Sequence, residues 1–140
     1  MTIKAAFLAD SANETRDGKV NILGIFTVIY AGEVPSHLSA CTLVAVLQPE
    51  LEDIGTTAEI QLNWVDPEHI PLLSESLMVE ILDPQVVPLP PANIITHIHG
   101  LPVTRFGPHE LHLQIKGNGQ ARSLILIEVR PRVSVTGATP

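Results

Sequence analysis

The sequence has no lysine or arginine from residue 20 to residue 104, although this stretch carries ten acidic side chains. It contains one cysteine in 140 residues, which excludes a disulfide framework. No apolar run approaches the roughly 20 residues that a membrane-spanning helix needs. The net charge of −7 argues against nucleic acid and anionic membranes as partners.

Basic side chains return only after this stretch. The C-terminal part carries five of them, Arg105, Lys116, Arg122, Arg130 and Arg132, against two glutamates. Such asymmetry is typical of an acidic surface that meets a basic one, within one protomer or between two. The alternative is a solvated acidic face that keeps the protein in solution.

The N-terminal residues predict a cytoplasmic protein. The apolar stretch after Met1 is too short for a secretory signal, and Asp10 interrupts it. Cys41 lies in an apolar segment without basic neighbours in sequence, so we expect a buried, unreactive thiol.

Apolar and polar side chains alternate along most of the chain, which predicts strands with one face in a core. The clearest segments are Thr57–Val65 and residues 110–116. Residues 40–47 and 124–129 are apolar on both faces, as expected of a central strand or of one covered by a partner. Further strands are predicted at residues 3–9, 19–30 and 77–81.

Turn-forming residues separate these segments. Asp17-Gly18 and Asn118-Gly119 tolerate positive φ, so each predicts a β-hairpin. Residues 84–91 (PQVVPLPP) predict a stiff, extended connector. Helix is limited to one turn within residues 49–55, where proline comes early and glycine late.

Seven or eight short strands with almost no helix predict an all-β fold. We expect an antiparallel sandwich of two sheets, with a small closed β-barrel as the alternative, because alternation alone does not distinguish them. One domain is predicted over residues 1–132. Residues 133–140 have little to bury and are expected to form a flexible C-terminal tail.

Two stretches carry a family resemblance. The first comprises residues 6–10 (AFLAD) and 17–24 (DGKVNILG), and the second residues 100–102 (GLP) and 106–111 (FGPHEL). Over roughly residues 3–130 the chain resembles a family of small uncharacterised bacterial proteins. The resemblance implies an immunoglobulin-like β-sandwich with no established activity, cofactor or catalytic residues. His109 stands where this family presents a tyrosine whose hydroxyl ties a corner of the sandwich to the backbone.

Three histidines are the candidates for a metal site. His97 and His99 are two residues apart on a predicted strand, so their side chains leave one face about 7 Å apart. Imidazole is the commonest metal-binding side chain, and His112 is the obvious third ligand. In an immunoglobulin-like sandwich, however, these two strands usually lie in opposite sheets. We therefore expect exposed strand histidines, no metal and no other cofactor.

The segment 124–129 gives the leading functional hypothesis. If Ile125, Ile127 and Val129 face the core, Leu124 and Leu126 face outward on a possible edge strand and need a cover. That cover is residues 3–9 or another protomer. We therefore predict a homo-oligomer or a protein-binding module. Its predicted interface residues are Leu124, Leu126, Arg122 and Arg130.

The alternative is a small-molecule or metal-binding domain, with or without catalytic activity, that uses the inter-strand loops 65–76 and 84–92. Sequence motifs of a nucleophile elbow, a phosphate loop or paired cysteines are absent, so the sequence favours a non-catalytic protein. A partner surface predicts a flat apolar or charge-complementary patch. A ligand site predicts a concave pocket with converging polar groups.

Overall fold

The alternating segments fold as strands in the computed structural model, which describes residues 1–116 and 121–133. These residues form nine strands and one 3-10 helix, Leu51–Asp53. The strands are β1 (Thr2–Glu14), β2 (Val20–Ile25), β3 (Val28–Ala31), β4 (Ser36–Gln48), β5 (Thr57–Val65), β6 (Pro71–Glu80), β7 (Ala92–Val103), β8 (Gly107–Lys116) and β9 (Arg122–Pro131). The predicted Asn118-Gly119 turn and residues 134–140 of the predicted tail lie outside the described residues.

The strands form two sheets, so the all-β prediction is confirmed. A four-stranded sheet has the order β2-β1-β4-β7, and a five-stranded sheet has the order β3-β9-β8-β5-β6. One of the two sheets curls into a half-barrel, but among the described residues the two are not hydrogen-bonded into one closed barrel.

The prediction of seven or eight strands is wrong, because the predicted strand at residues 19–30 is two strands in different sheets. The Phe26 N–H still donates to the Leu8 carbonyl in the first sheet, whereas the Thr27 carbonyl accepts from Glu128 N–H in the second. The chain crosses between sheets at this point. It then runs parallel to β9 as β3, which is the exception to the predicted antiparallel pairing.

β1 pairs with two different strands along its length. It pairs with β4 from Thr2 to Ala9, and from Ala9 to Glu14 it pairs with β2. The change of partner occurs beside Gly24, which has a φ of +71° and on which a Cβ atom would overlap the Asp10 carboxylate. Glycine meets both conditions without strain, and Gly24 marks the point where the hairpin leaves the sheet.

The β1–β2 hairpin folds back across the outer face of the four-stranded sheet. Its tip reaches β7, where Asn93 Nδ2 donates to the Gly18 carbonyl at 2.9 Å. Val44 points away from the main core cluster, yet it is completely buried. We conclude that β4 is apolar on both faces because one face lines the core and the chain's own hairpin covers the other.

The core lies between the two sheets and contains the inward side chains predicted from alternation. On β5 the residues Ala58, Ile60, Leu62 and Trp64 are buried, and their neighbours in sequence are more exposed. Burial of such side chains is the main source of stability, at about 1.5–3 kcal/mol for each large apolar group. This core fixes which residues of each strand face solvent, and so it positions the candidate site.

Candidate functional site on strand β9

Strand β9 presents two leucines to solvent. Leu124 is 49% exposed and Leu126 is 58% exposed, whereas Ile125, Ile127 and Val129 are buried. The orientation predicted from the sequence is therefore confirmed. Because they stand at alternate positions of one strand, the two leucines lie side by side and form an apolar strip on this face.

The surroundings of β9 differ from the sequence prediction in two respects. β9 is not an edge strand, because it lies between β8 and β3. Residues 3–9 do not cover the leucines: β1 approaches β9 from the other sheet, but both leucines stay exposed. Of the two predicted covers, residues 3–9 are therefore excluded, and a second molecule stays a prediction.

Charged residues lie on both sides of the leucines on β9, with Arg122 on one side and Glu128 and Arg130 on the other. Arg122 and Glu128 each stand three positions from Ile125, on the same face as Leu124 and Leu126. We call the set Arg122, Leu124, Leu126 and Glu128 the β9 face. Sequence reasoning identified Arg122 and Arg130 as interface residues but missed Glu128, although the order Arg-x-Leu-x-Leu-x-Glu is legible in the sequence.

Strand β8 places a polar pair beside the leucines. In the β8–β9 register His112 lies opposite Leu124, and Glu110 lies opposite Leu126. His112 Nε2 is 2.8 Å from Glu110 Oε2, so the two side chains hold each other in place. An open depression next to them is lined by Asn63, His112, Leu113, Gln114, Arg122, Ser123 and Leu124. The surface is open, with polar side chains around an apolar strip, as expected of a partner surface rather than an enclosed ligand pocket.

The three candidate metal ligands are divided between the two sheets. His97 and His99 are on β7 of the four-stranded sheet, and His112 is on β8 of the five-stranded sheet. His97 Nδ1 lies 3.1 Å from the Thr42 hydroxyl. Across residues 1–116 and 121–133, no three histidine, cysteine, aspartate or glutamate side chains come close enough together to hold a metal ion.

The loops of the alternative hypothesis hold different features from those expected. Most of the predicted loop 65–76 is strand, because β6 begins at Pro71. The connection 84–92 contains no strand until β7 begins at Ala92. It borders a cavity of about 110 Å³ that is lined mainly by proline, leucine and isoleucine side chains. That lining includes one ionisable side chain, Glu80, so it offers no converging polar groups.

A buried polar cluster that sequence reasoning missed lies where β5 ends. Asp66 is 2% exposed, and its Oδ1 accepts hydrogen bonds from the backbone N–H groups of Glu68 and Ile70. Its Oδ2 lies 3.4 Å from Arg105 Nε. Burial raises the pKa of the Asp66 carboxyl, but these two N–H groups and the charges of Arg105 and His109 outweigh it and hold the pKa below its ordinary value of 3.8. The cluster closes the β5–β6 turn and is structural.

His109 and Trp64 connect this cluster to the core. Their rings stack with centroids 5.1 Å apart, and the Trp64 indole N–H donates to the Pro102 carbonyl at 2.7 Å. His109 Nδ1 lies 3.2 Å from the Gly107 carbonyl. A carbonyl oxygen only accepts, so this contact requires the proton on Nδ1. His109 thus ties the start of β8 to its own backbone.

The single thiol is buried. Cys41 is 1% exposed, and burial, followed by the nearby Asp10 carboxylate, raises the pKa of its thiol to about 11. Both effects disfavour the thiolate, which is the reactive form. We expect Ellman's reagent at pH 8 to leave Cys41 unmodified over an hour in the native protein and to modify it within minutes in denaturant. Fast labelling of the native protein would contradict the burial.

Comparison with known sequences places the chain in a family. The family model matches residues 4–128. The chain belongs to DUF6941, a family of unknown function. No curated protein matches the chain. In the part of this DUF6941 chain that the structure describes, no helix is long and apolar enough to cross a membrane.

Proposed function

We propose that this protein is a non-catalytic module that self-associates through the β9 face. The observation that carries the proposal is the symmetric arrangement of these four residues about Ile125; the two-fold counterpart of Arg130, which is also on this face, is residue 120, outside the described residues. A two-fold axis at Ile125 places Leu124 of one copy against Leu126 of the other, and Arg122 against Glu128. A surface that is complementary to itself is what a two-fold dimer requires.

The leucines supply most of the expected affinity in this arrangement. Each leucine is about half exposed, so covering it removes apolar surface from water and contributes about 1 kcal/mol to association. Because the two-fold axis repeats every contact, each leucine contributes twice. Pairs such as Arg122 with Glu128 at the rim contribute only about 0–1 kcal/mol each. Their role is to select the antiparallel orientation, because the parallel one places like charges together.

The size of the sheet is compatible with such a dimer. The strands are spaced about 4.8 Å apart, four of them are roughly 30 Å long and β3 is about 13 Å long, which gives a face of about 700 Å² in projection. Standard interfaces bury about 800 Å² of accessible surface on each partner. The β9 face therefore needs the neighbouring side chains of β8 and β3 as its rim.

Light scattering on the purified chain at about 50 µM tests the proposal. We expect twice the monomer mass of 15.1 kDa for the unmodified protein. Leu126→Glu should give the monomer mass with unchanged circular dichroism. In the dimer the new glutamate and the neighbouring Glu110 of each copy would place four carboxylates near the axis, whereas in the monomer the new side chain stays in solvent. Leu23→Glu, at a leucine of β2 that is 69% exposed, is the control and should remain dimeric. A monomeric unmodified protein contradicts the proposal.

We also infer that the fold is an immunoglobulin-like sandwich. Its support is the adjacency of β5, β8 and β9, which corresponds to strands C, F and G of that fold. Trp64 is buried on β5, as the conserved tryptophan is on strand C. The His109 contact at the start of β8 takes the place of the tyrosine corner. A crystal structure with a different strand order would contradict this inference.

The cytoplasmic location is part of the same proposal. Its support is a lone, buried thiol, since a chain without disulfides gains nothing from an oxidising compartment. Fractionation of the native cells should place the protein with cytoplasmic markers, and recovery with exported proteins would contradict it.

A further inference from the structure

A groove runs between β3 and the first half of β4. It consists of two adjoining cavities of about 250 and 270 Å³ that share Ile29, Tyr30, Leu38 and Arg132. Its lining includes consecutive residues of both strands, 29–31 of β3 and 36–39 of β4, together with Gly32. Since consecutive residues of a strand point to opposite faces, the walls of this β3–β4 groove are strand edges rather than sheet faces.

Both edges lack a backbone partner in the part of the chain that the structure describes. β1 pairs with β4 only at residues 42–48, so residues 36–41 have no strand on that side. β3 pairs with β9 on one side only. Every second residue of such an edge directs its N–H and C=O groups into the groove, where they need hydrogen-bond partners.

The side chains of the groove are amphipathic. Phe26, Ile29 and Leu38 provide an apolar floor, and Asp10 lies at one end and His37 at the other. Arg132 borders both cavities. Among the described residues its guanidinium group makes no ion pair, so its charge is available to a ligand.

We propose that the β3–β4 groove binds an extended peptide of a partner protein, which adds a strand beside residues 36–41 and places an acidic side chain at Arg132. An extended backbone is the ligand that offers donors and acceptors at the spacing of a strand edge, and alternate side chains then enter pockets on one face. Six residues of β4 give a site roughly 20 Å long.

The position of Arg132 indicates a side chain rather than a peptide terminus. Because Arg132 borders both cavities, a peptide that fills the groove passes it and continues on either side. Asp10 disfavours a second acidic residue at its end of the groove. The expected ligand is therefore a segment of five or six residues with alternating apolar side chains and one central glutamate or aspartate.

Selection from a random nonapeptide library displayed on phage, with the full chain as bait, tests the proposal. We expect enriched peptides with one acidic residue between apolar ones, and shifts of backbone amide NMR signals confined to residues 28–31 and 36–41. N-methylation of alternate backbone nitrogens of the enriched peptide should abolish binding, because it removes the donors that face the strand edge.

Matched arginine variants assign the charge contact. Arg132→Gln should weaken binding of the enriched peptide at least tenfold, and Arg132→Lys should recover part of it. Arg16→Gln, an exposed arginine on the β1–β2 hairpin, should have no effect. The proposal is overturned if no peptide is enriched, if the shifts map elsewhere, if Arg132→Gln binds normally, or if a second copy of the chain produces the same shifts without peptide.

Discussion

Replacing Trp64 by phenylalanine is expected to lower the free energy of unfolding by about 2–4 kcal/mol. The Trp64 side chain is 0% exposed, so the smaller ring leaves a void beside His109. The change also removes the indole N–H and with it the hydrogen bond to the Pro102 carbonyl. A hydrogen bond of this kind contributes about 0.5–1.5 kcal/mol to stability.

Urea unfolding followed by far-UV circular dichroism measures this loss. Met78→Ala is the control, because Met78 is exposed on neighbouring β6 and its truncation should change stability by less than about 0.5 kcal/mol. Equal stability of Trp64→Phe and the unmodified protein would contradict the described packing of Trp64 and His109.

Replacing Asp66 by alanine is expected to lower the melting temperature by more than about 5 °C. Alanine leaves the backbone N–H groups of Glu68 and Ile70 without their acceptor and Arg105 without one of its two carboxylate partners. Asp66→Asn retains the accepting oxygen and removes only the charge, so its loss should be smaller. Differential scanning calorimetry at pH 7 separates the two variants.

The stability that the Asp66 carboxylate contributes is expected to depend on pH. The pKa of Asp66 in the folded protein lies below 3.8, so its ionised form stabilises the fold above that pH. This contribution is lost as the pH falls through the folded-state pKa, when the carboxyl becomes protonated. The difference in melting temperature between the unmodified protein and Asp66→Asn should therefore be full at pH 6 and shrink below 3.8. A difference that grows on acidification would contradict the lowered pKa.

The sequence predicts strands well where alternation is long and its ends are marked. β5 has its predicted bounds, Thr57–Val65, because four apolar residues alternate without a break between Gly55 and the Asp66-Pro67 turn. Much of β6 was missed, since its residues 74–76 are polar and exposed on both faces. β3 was missed as a separate element because four residues that pair with a strand one hundred positions away leave no local signal.

The candidate sites also differ in how far the sequence predicts them. The outward orientation of Leu124 and Leu126 follows from local alternation once the core face of β9 is chosen. The β3–β4 groove does not follow from local alternation. It depends on where β1 stops pairing with β4 and begins to pair with β2, which occurs where Gly24 lies against Asp10. The buried state of Asp66 and His109 likewise depends on strands that meet only in the folded protein.

Sedimentation equilibrium of charge-reversal variants tests the two-fold β9 interface most directly. Arg122→Glu and Glu128→Arg, each alone, place like charges against each other at both ends of the interface and should weaken the dimer about tenfold, which corresponds to about 1.4 kcal/mol. The double variant restores opposite charges across the axis and should recover the dissociation constant of the unmodified protein. A double variant that dissociates as readily as the single ones, or an unmodified chain that sediments as a monomer at about 50 µM, would contradict the account.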